Sequence, residues 1–276
     1  MILSGKQVAE ALLQHTKTEA NKLKNKPTLA IVTSNTDEAS KVYIRNKVKA
    51  CEECGMSAHV ITMPEHLDTA GYLALISLLN QNKQITGIIV QLPLPEHIDE
   101  KRISASIAPE KDIDGFGKLA KFAPCTPRGI LHILDYYKGK NFLKGKSAVV
   151  IGRSEIVGKP MANLLLDRDA TVTICHSHTQ NLKHFTQNAD VVVVAVGKPK
   201  FLTKDMVKPG ATIIDVGINR ENGKLCGDCD FEPLSEICDI TPVPGGVGAT
   251  TVATLVSRLP VMAKEQNKTQ TSEMAN

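Results

Sequence analysis

Hydrophobic and polar positions follow two different periods along this chain, and the switches between them mark its elements. Three short apolar runs in the first half, PTLAIVTS (27–34), SAHVITM (57–63) and ITGIIVQLPLP (85–95), have the length and β-branched content of strands, the last stopping at its prolines. Between them, residues 38–54 and 70–81 read as helices, the first capped by Gly55. The chain start, MILSGKQVAEALLQ, reads as a short strand or turn and then a helix. Strand and helix in alternation predict a parallel sheet covered by helices. The second half shares this layout without repeating a motif. A helix from Gly129 leads to SAVVI (147–151), and a helix over 161–167 leads to ATVTIC (170–175). ADVVVVAVG (189–197), ATIIDVG (211–217) and ITPVPGG (240–246) are read as three further strands. Strands this apolar need helices on both faces, so the second half is predicted to be a doubly wound, Rossmann-like dinucleotide-binding domain.

The stretch DIDGFGKLAKFAPCTPRG (112–129), rich in glycine, proline and charge, separates the halves. The expected fold class is α/β with two domains: an N-terminal three-layer α/β/α catalytic domain over 1–120 and a dinucleotide-binding domain over 121–249. A last helix over about 250–264 is expected to pack back on the first domain, ahead of a flexible tail at 265–276.

A chain of 276 residues is long for a single core, in keeping with two domains. The formal net charge is +4, with basic residues spread among acids, which suits small anionic ligands and gives little support to nucleic acid. No run approaches the roughly twenty apolar residues of a membrane span, and the N-terminal stretch lacks the apolar core of a signal peptide. A soluble, cytoplasmic protein is therefore expected. Seven scattered cysteines then imply reduced thiols. Cys51 with Cys54 and Cys226 with Cys229 have C-x-x-C spacing, which fits a zinc site or simply small buried side chains; no metal is expected.

The most informative local signal is SAVVIGRSEIVGKP (147–160), a buried strand running into a glycine turn and a helix. Gly152 and Gly158 bracket a turn whose backbone N–H groups can face a pyrophosphate at a helix N-terminus. An NAD site places a carboxylate about twenty residues further on, against the ribose 2′-hydroxyl. Here that place holds His176, Ser177 and His178, and Arg153 sits in the turn itself. A cation and a hydroxyl suit a 2′-phosphate that a carboxylate would repel, so the expected cofactor is NADP. His176 and His178 lack the further donors a metal needs and are read as phosphate neighbours or surface.

Other candidates lie in the first half and at its edge. Ser40, Tyr43 and Lys47 stand at i, i+3 and i+7 and share one helix face. A lysine beside an aromatic ring in a cleft loses hydration and its pKa falls, although from spacing alone a solvated lysine is the more ordinary reading. Gln91 closes an apolar strand at the sheet edge where ligands bind in open parallel sheets, or is a turn residue before Pro93. Asp112 and Asp114 are turn formers or, as carboxylates, acceptors for the paired N–H groups of an amidine-like edge such as a pterin's. In ITPVPGGVGATT the prolines and glycines, Pro244, Gly245 and Gly246 among them, let backbone approach a flat ligand.

With these residues in place, the chain resembles the bifunctional methylenetetrahydrofolate dehydrogenase/methenyltetrahydrofolate cyclohydrolase family over nearly its whole length. The blocks YIRNKVKACEECG, GIIVQLPLPEHID, PEKDIDGF, PCTPRGI, VVIGRSEIVGKPMANLLL, ATVTICHSHT, IIDVGINR and ITPVPGGVG occur in the family's order. The resemblance implies Lys47 as catalytic lysine, Tyr43 stacked on the folate, Gln91 orienting the lysine and Asp114 anchoring the pterin. It places Ser40, Pro244, Gly245 and Gly246 around the substrate, and assigns NADP to Gly152, Arg153, Ser154, Ser177 and Ile218. The implied reaction is NADP-dependent oxidation of 5,10-methylenetetrahydrofolate and hydrolysis of the methenyl product to 10-formyltetrahydrofolate, by a homodimer. The chain departs from the family in the short GKLAKFA loop (117–123), in Ala249–Thr250–Thr251 where Pro-Met-Thr is common, and in a glycine missing from TSNTDEAS. The short loop leaves open a folate- or nucleotide-binding protein with one or both activities lost. A dehydrogenase of the shikimate or amino-acid type explains the layout but not the set Tyr43, Lys47, Gln91 and Asp114.

Overall fold

The computed structural model describes residues 1–34 and 38–274, which leaves the middle of TSNTDEAS, residues 35–37, outside the described residues. In chain order the first elements are α1 (Gly5–Asn21), β1 (Thr28–Thr33), α2 (Glu38–Glu53), β2 (Ser57–Thr62), α3 (Thr69–Gln81), β3 (Gly87–Val90) and α4 (Glu100–Ser106). Then follow α5 (Cys125–Lys138), β4 (Ser147–Ile151), α6 (Gly158–Leu166), β5 (Thr171–Cys175), α7 (Leu182–Thr186), β6 (Val191–Val194) and β7 (Thr212–Asp215). The chain ends with the hairpin β8 (Asn219–Glu221) and β9 (Lys224–Cys226), α8 (Phe231–Ser235), β10 (Asp239–Ile240) and α9 (Val247–Met274). These elements form two compact units, one of Ala11–Cys125 with Val252–Asn276, the other of Met1–Glu10 with Thr126–Thr251.

The first unit holds a parallel sheet in the order β2-β1-β3. Alternation along its strands sends side chains to two separate cores. Leu29, Ile31 and Ile89 face Ile44, Ala50 and Cys51 of α2 and Leu255, Val256 and Leu259 of α9. Ala30, Val32, Ile88 and Val90 face Tyr72, Ile76 and Leu79 of α3 and Ile103 of α4. The result is the expected α/β/α sandwich. Burial of both faces explains why β1 and β3 read as unbroken apolar runs, whereas the edge strand β2 keeps polar, exposed positions.

The second unit is doubly wound, with strand order β10-β7-β6-β4-β5, all parallel. Ala148, Val150, Val191, Val193 and Ile214 pack under α5 and α6, while Val149, Ile151, Val192, Val194 and Ile213 pack toward α7 and α8. The strand order reverses between β4 and β6, and ligands of such sheets bind at the carboxyl ends beside that reversal.

Three expectations change. ITPVPGG is not a strand: pairing with β7 ends at Ile240, because Pro242 and Pro244 have no N–H for a ladder. The last helix begins at Val247 and runs through Met274, past the point where a flexible tail was expected. Its polar end is tied down, with Lys264 paired to Glu19 at 2.6 Å and Gln266 donating to the carbonyls of Thr86 and Glu110 at 2.9 Å each. The first ten residues, expected with the N-terminal domain, belong to the nucleotide-type unit. Leu3 and Val8 sit in that unit's core, the Leu3 N–H donates to the Ile240 carbonyl at 2.8 Å, and Ile2 bridges to Ile240.

Candidate active site

Helix α2 sorts its basic residues by face. Lys41, Arg45 and Lys49 are exposed, whereas Ser40 and Lys47 are buried and Tyr43 is half-buried. Lys47 is 8% exposed, and its ammonium donates to Oε1 of Gln91 at 2.8 Å. The Gln91 amide is itself fixed: Nε2 donates to the Leu92 carbonyl at 2.8 Å and the backbone N–H to Val32 at 2.8 Å. Gln91 thus holds Lys47 at the carboxyl edge of β3 while also bonding within its own turn. Burial pushes the Lys47 pKa down, opposed by the charge of Asp114. Burial also raises the Tyr43 phenol and the Asp114 carboxyl, the latter opposed by Lys47 and Arg258.

The two acids of PEKDIDGFG have different work. Asp112 is buried and shapes the turn, its oxygens accepting from the N–H groups of Gly115 at 2.9 Å and Gly117 at 2.7 Å. Asp114 is half-buried, and among side chains its carboxylate meets the Cys125 thiol. Cys125 is fully buried and its thiol, pushed up by burial, also donates to the Ile113 carbonyl at 3.4 Å.

In the other unit the carboxyl edge of the sheet carries the remaining candidates. Gly152 ends β4 with φ of 121°, and a Cβ there would stand 2.3 Å from the Ala195 carbonyl at the end of β6. At position 158 a Cβ would stand 2.2 Å from the Gly152 carbonyl, so both turn glycines are required by close backbone approach. The exposed Ser154 accepts at Oγ from the N–H groups of Val157 at 3.2 Å and Gly158 at 3.3 Å, leaving its own hydroxyl proton to donate. Arg153 and Ser177 are exposed at the ends of β4 and β5, and Ile218 is 50% exposed beyond β7. His176 Nδ1 accepts from the His178 N–H at 3.2 Å, so that nitrogen serves the turn. Pro244, Gly245 and Gly246 lie in this same unit, on the segment that enters α9, with Gly246 against Gly5.

Residues 3–114 match the catalytic domain described as tetrahydrofolate dehydrogenase/cyclohydrolase, and residues 124–267 match that family's NAD(P)-binding domain. The chain belongs to the tetrahydrofolate dehydrogenase/cyclohydrolase family. Among curated relatives, the bifunctional protein FolD of Campylobacter hominis is 48% identical over 281 residues, covering 97% of this chain and 98% of that one. FolD of Burkholderia ambifaria is 52% identical over 243 residues, covering 84% and 85%. The crystal structure of the Campylobacter jejuni bifunctional enzyme FolD superposes with a TM-score of 0.93 at 41% identity, covering 96% and 99%. The Trypanosoma brucei FolD structure, complexed with NADP cofactor and inhibitor, gives 0.90 at 31%, covering 96% and 97%.

Within this family frame, sequence reasoning missed several buried ionisable residues, three of which hold backbone at loops. Asp228 is fully buried and accepts from the backbone N–H groups of Val196 (2.7 Å), Gly197 (3.0 Å) and Lys198 (2.8 Å), holding the loop at the end of β6. Asp215, at the end of β7, accepts from the N–H groups of Gly217, Asp228 and Cys229. Two acids beside the glycines of DVG and CGD were the available signal. The third is Arg258, 5% exposed in the apolar run TVATLVSRLPVMA. Seven free cysteines are present, and among the described residues no three His, Cys, Asp or Glu side chains gather as a metal site.

Proposed function

We propose that the protein oxidises 5,10-methylenetetrahydrofolate with NADP and hydrolyses the resulting methenyl group to 10-formyltetrahydrofolate. The observation that carries this reading is the buried Lys47 held on Gln91, within electrostatic reach of Asp114, at the edge of a covered parallel sheet. NADP fits the second unit. The Gly152 turn offers bare backbone where a side chain could not stand, and Arg153, Ser154 and Ser177 supply a cation and hydroxyls for its phosphates. Held by these groups, the cofactor would supply the hydride acceptor for the oxidation.

The protein's own groups do the rest. Asp114 accepts hydrogen bonds from the amidine-like edge of the pterin, Tyr43 stacks on the folate, and Ser40 lines the same helix face. Lys47, partly neutral because burial lowers its pKa, takes a proton from the water that attacks the methenyl carbon and returns it to N5 as the C–N5 bond breaks, while the new hydroxyl releases its remaining proton to solvent and becomes the formyl carbonyl. Gln91 keeps the lysine's nitrogen aimed for that transfer. Nothing favours a binding protein without turnover, since the Lys47–Gln91 pair is complete despite the short loop. The seven thiols fit a cytoplasmic setting. Exposed Leu166 and Ile174 beside the open edge of β5 support a homodimer.

The test is direct. Purified protein given methylenetetrahydrofolate and NADP should produce NADPH absorbance and then 10-formyl product, and absence of turnover with either nicotinamide cofactor refutes the proposal.

A further inference from the structure

We propose that Arg258 is a positioning residue for folate binding, because its guanidinium fork closes the short loop that presents Asp114. The inference rests on the folate reading above and names a residue which that reading does not include. The loop from Ile113 to Ala123 has no regular structure and must bring Asp114 to one place without help from a ladder. It doubles back at Gly115, φ 78°, where a Cβ would stand 2.4 Å from the Phe122 carbonyl. Arg258, from α9, donates through one terminal nitrogen to the Ile113 carbonyl at 2.7 Å and through the other to the Ala123 carbonyl. One carbonyl precedes Asp114 in the chain and the other closes the loop, so a single planar group fixes both ends. The Phe122 ring lies 5.0 Å from the same guanidinium carbon.

Arg258 is held as firmly as what it holds. Leu255, one turn before it, and the adjoining Leu259 are fully buried, and Leu259 meets Gly87 beside Ile113. Further along α9, Lys121 pairs with Glu265 at 3.4 Å, a second tie from helix to loop. Both strong bonds of Arg258 go to neutral carbonyls, so its charge remains to act on the carboxylate nearby. The groups facing Asp114 are Lys47 from α2, Arg258 from α9, Cys125 at the start of α5, and Asp112 from its own loop. The two cations favour the ionised form, and burial with Asp112 opposes it. Removing the guanidinium therefore loosens the loop and makes Asp114 harder to ionise.

The experiment compares wild type with Arg258→Gln and Arg258→Lys for kcat and KM of both substrates over pH, with thermal unfolding as the fold control. Arg258→Gln should raise the KM for methylenetetrahydrofolate at least about tenfold, leave the KM for NADP within about twofold, and move the acid limb of kcat/KM for folate to higher pH. Arg258→Lys keeps the charge but not the fork, so it should raise the folate KM while the acid limb stays in place. An unchanged folate KM, an equal rise for NADP, or an unmoved acid limb in Arg258→Gln overturns the proposal. A lower Tm with unaltered kinetics does the same, because it marks a purely structural clamp. Should Arg258→Gln not fold, Arg258→Lys alone decides through its folate KM against its NADP KM. A wild type without turnover fails the functional reading, and calorimetric folate affinity of the variants against wild type then judges Arg258 on its own.

Discussion

Replacing Gln91 by leucine isolates the contact on which the proposed hydrolysis depends. The leucine fills similar space but removes the oxygen that receives the Lys47 ammonium at 2.8 Å, and the nitrogen that serves the Leu92 carbonyl. Lys47 is 8% exposed, so water cannot freely replace the lost acceptor. A hydrogen bond to a charged group is worth about 1.5–3 kcal/mol. At about 1.4 kcal/mol per tenfold, a lysine that loses this hold should slow cyclohydrolysis roughly 10- to 150-fold. The assay follows loss of methenyltetrahydrofolate absorbance, with NADP affinity as control, since Gln91 lies in the unit without the Gly152 turn. A folded Gln91→Leu protein that hydrolyses within twofold of wild type would falsify the assignment of Gln91 as the lysine's partner.

Three other outcomes follow from the same geometry. Lys47→Met should abolish cyclohydrolase activity while NADP binding, measured by calorimetry, persists; in wild type, hydrolysis should rise as pH passes upward through the lysine's lowered pKa, because the neutral form is the proton acceptor. A hydrolysis rate flat across that range refutes the sign. Arg153→Ala should weaken NADP far more than NAD, and equal losses would remove Arg153 from 2′-phosphate recognition. Gly152→Ala should cost NADP affinity and, through the 2.3 Å approach to Ala195 and the φ of 121°, about 1–3 kcal/mol of stability by chemical denaturation.

Much of the fold was legible because burial wrote itself into the strands. β1, β3, β4, β6 and β7 are covered on both faces and read as apolar runs, and the helical period put Ser40, Tyr43 and Lys47 on one side of α2. The short helices α4, α7 and α8 span seven, five and five residues, too few for a period to repeat. The β8–β9 hairpin did carry a signal, since Asn222–Gly223 takes φ of 51° and 77°, the primed turn that an Asn-Gly pair favours. Spacing alone did not separate Asp112 from Asp114, and only the family resemblance singled out Asp114; in the structure the amides of Gly115 and Gly117 claim the Asp112 carboxylate. Arg258 was hidden by a separation of 145 residues from the carbonyl it holds.

Neither compact unit is continuous in the chain, and this bears on how the protein is made. The dinucleotide-type unit needs Leu3 and Val8 beside residues delivered far later, and its β10 cannot pair until residues 239–240 leave the ribosome. The folate-side unit lacks the α9 residues of its core, Leu255 to Met262, until the whole Thr126–Thr251 segment of the other unit has been made. Contacts of such long sequence separation fold slowly and leave apolar faces uncovered meanwhile. A cut at the midpoint between Cys125 and Thr126 would therefore give two fragments that each carry a piece of the other's core, so dissecting the two activities calls for point substitutions in the whole chain.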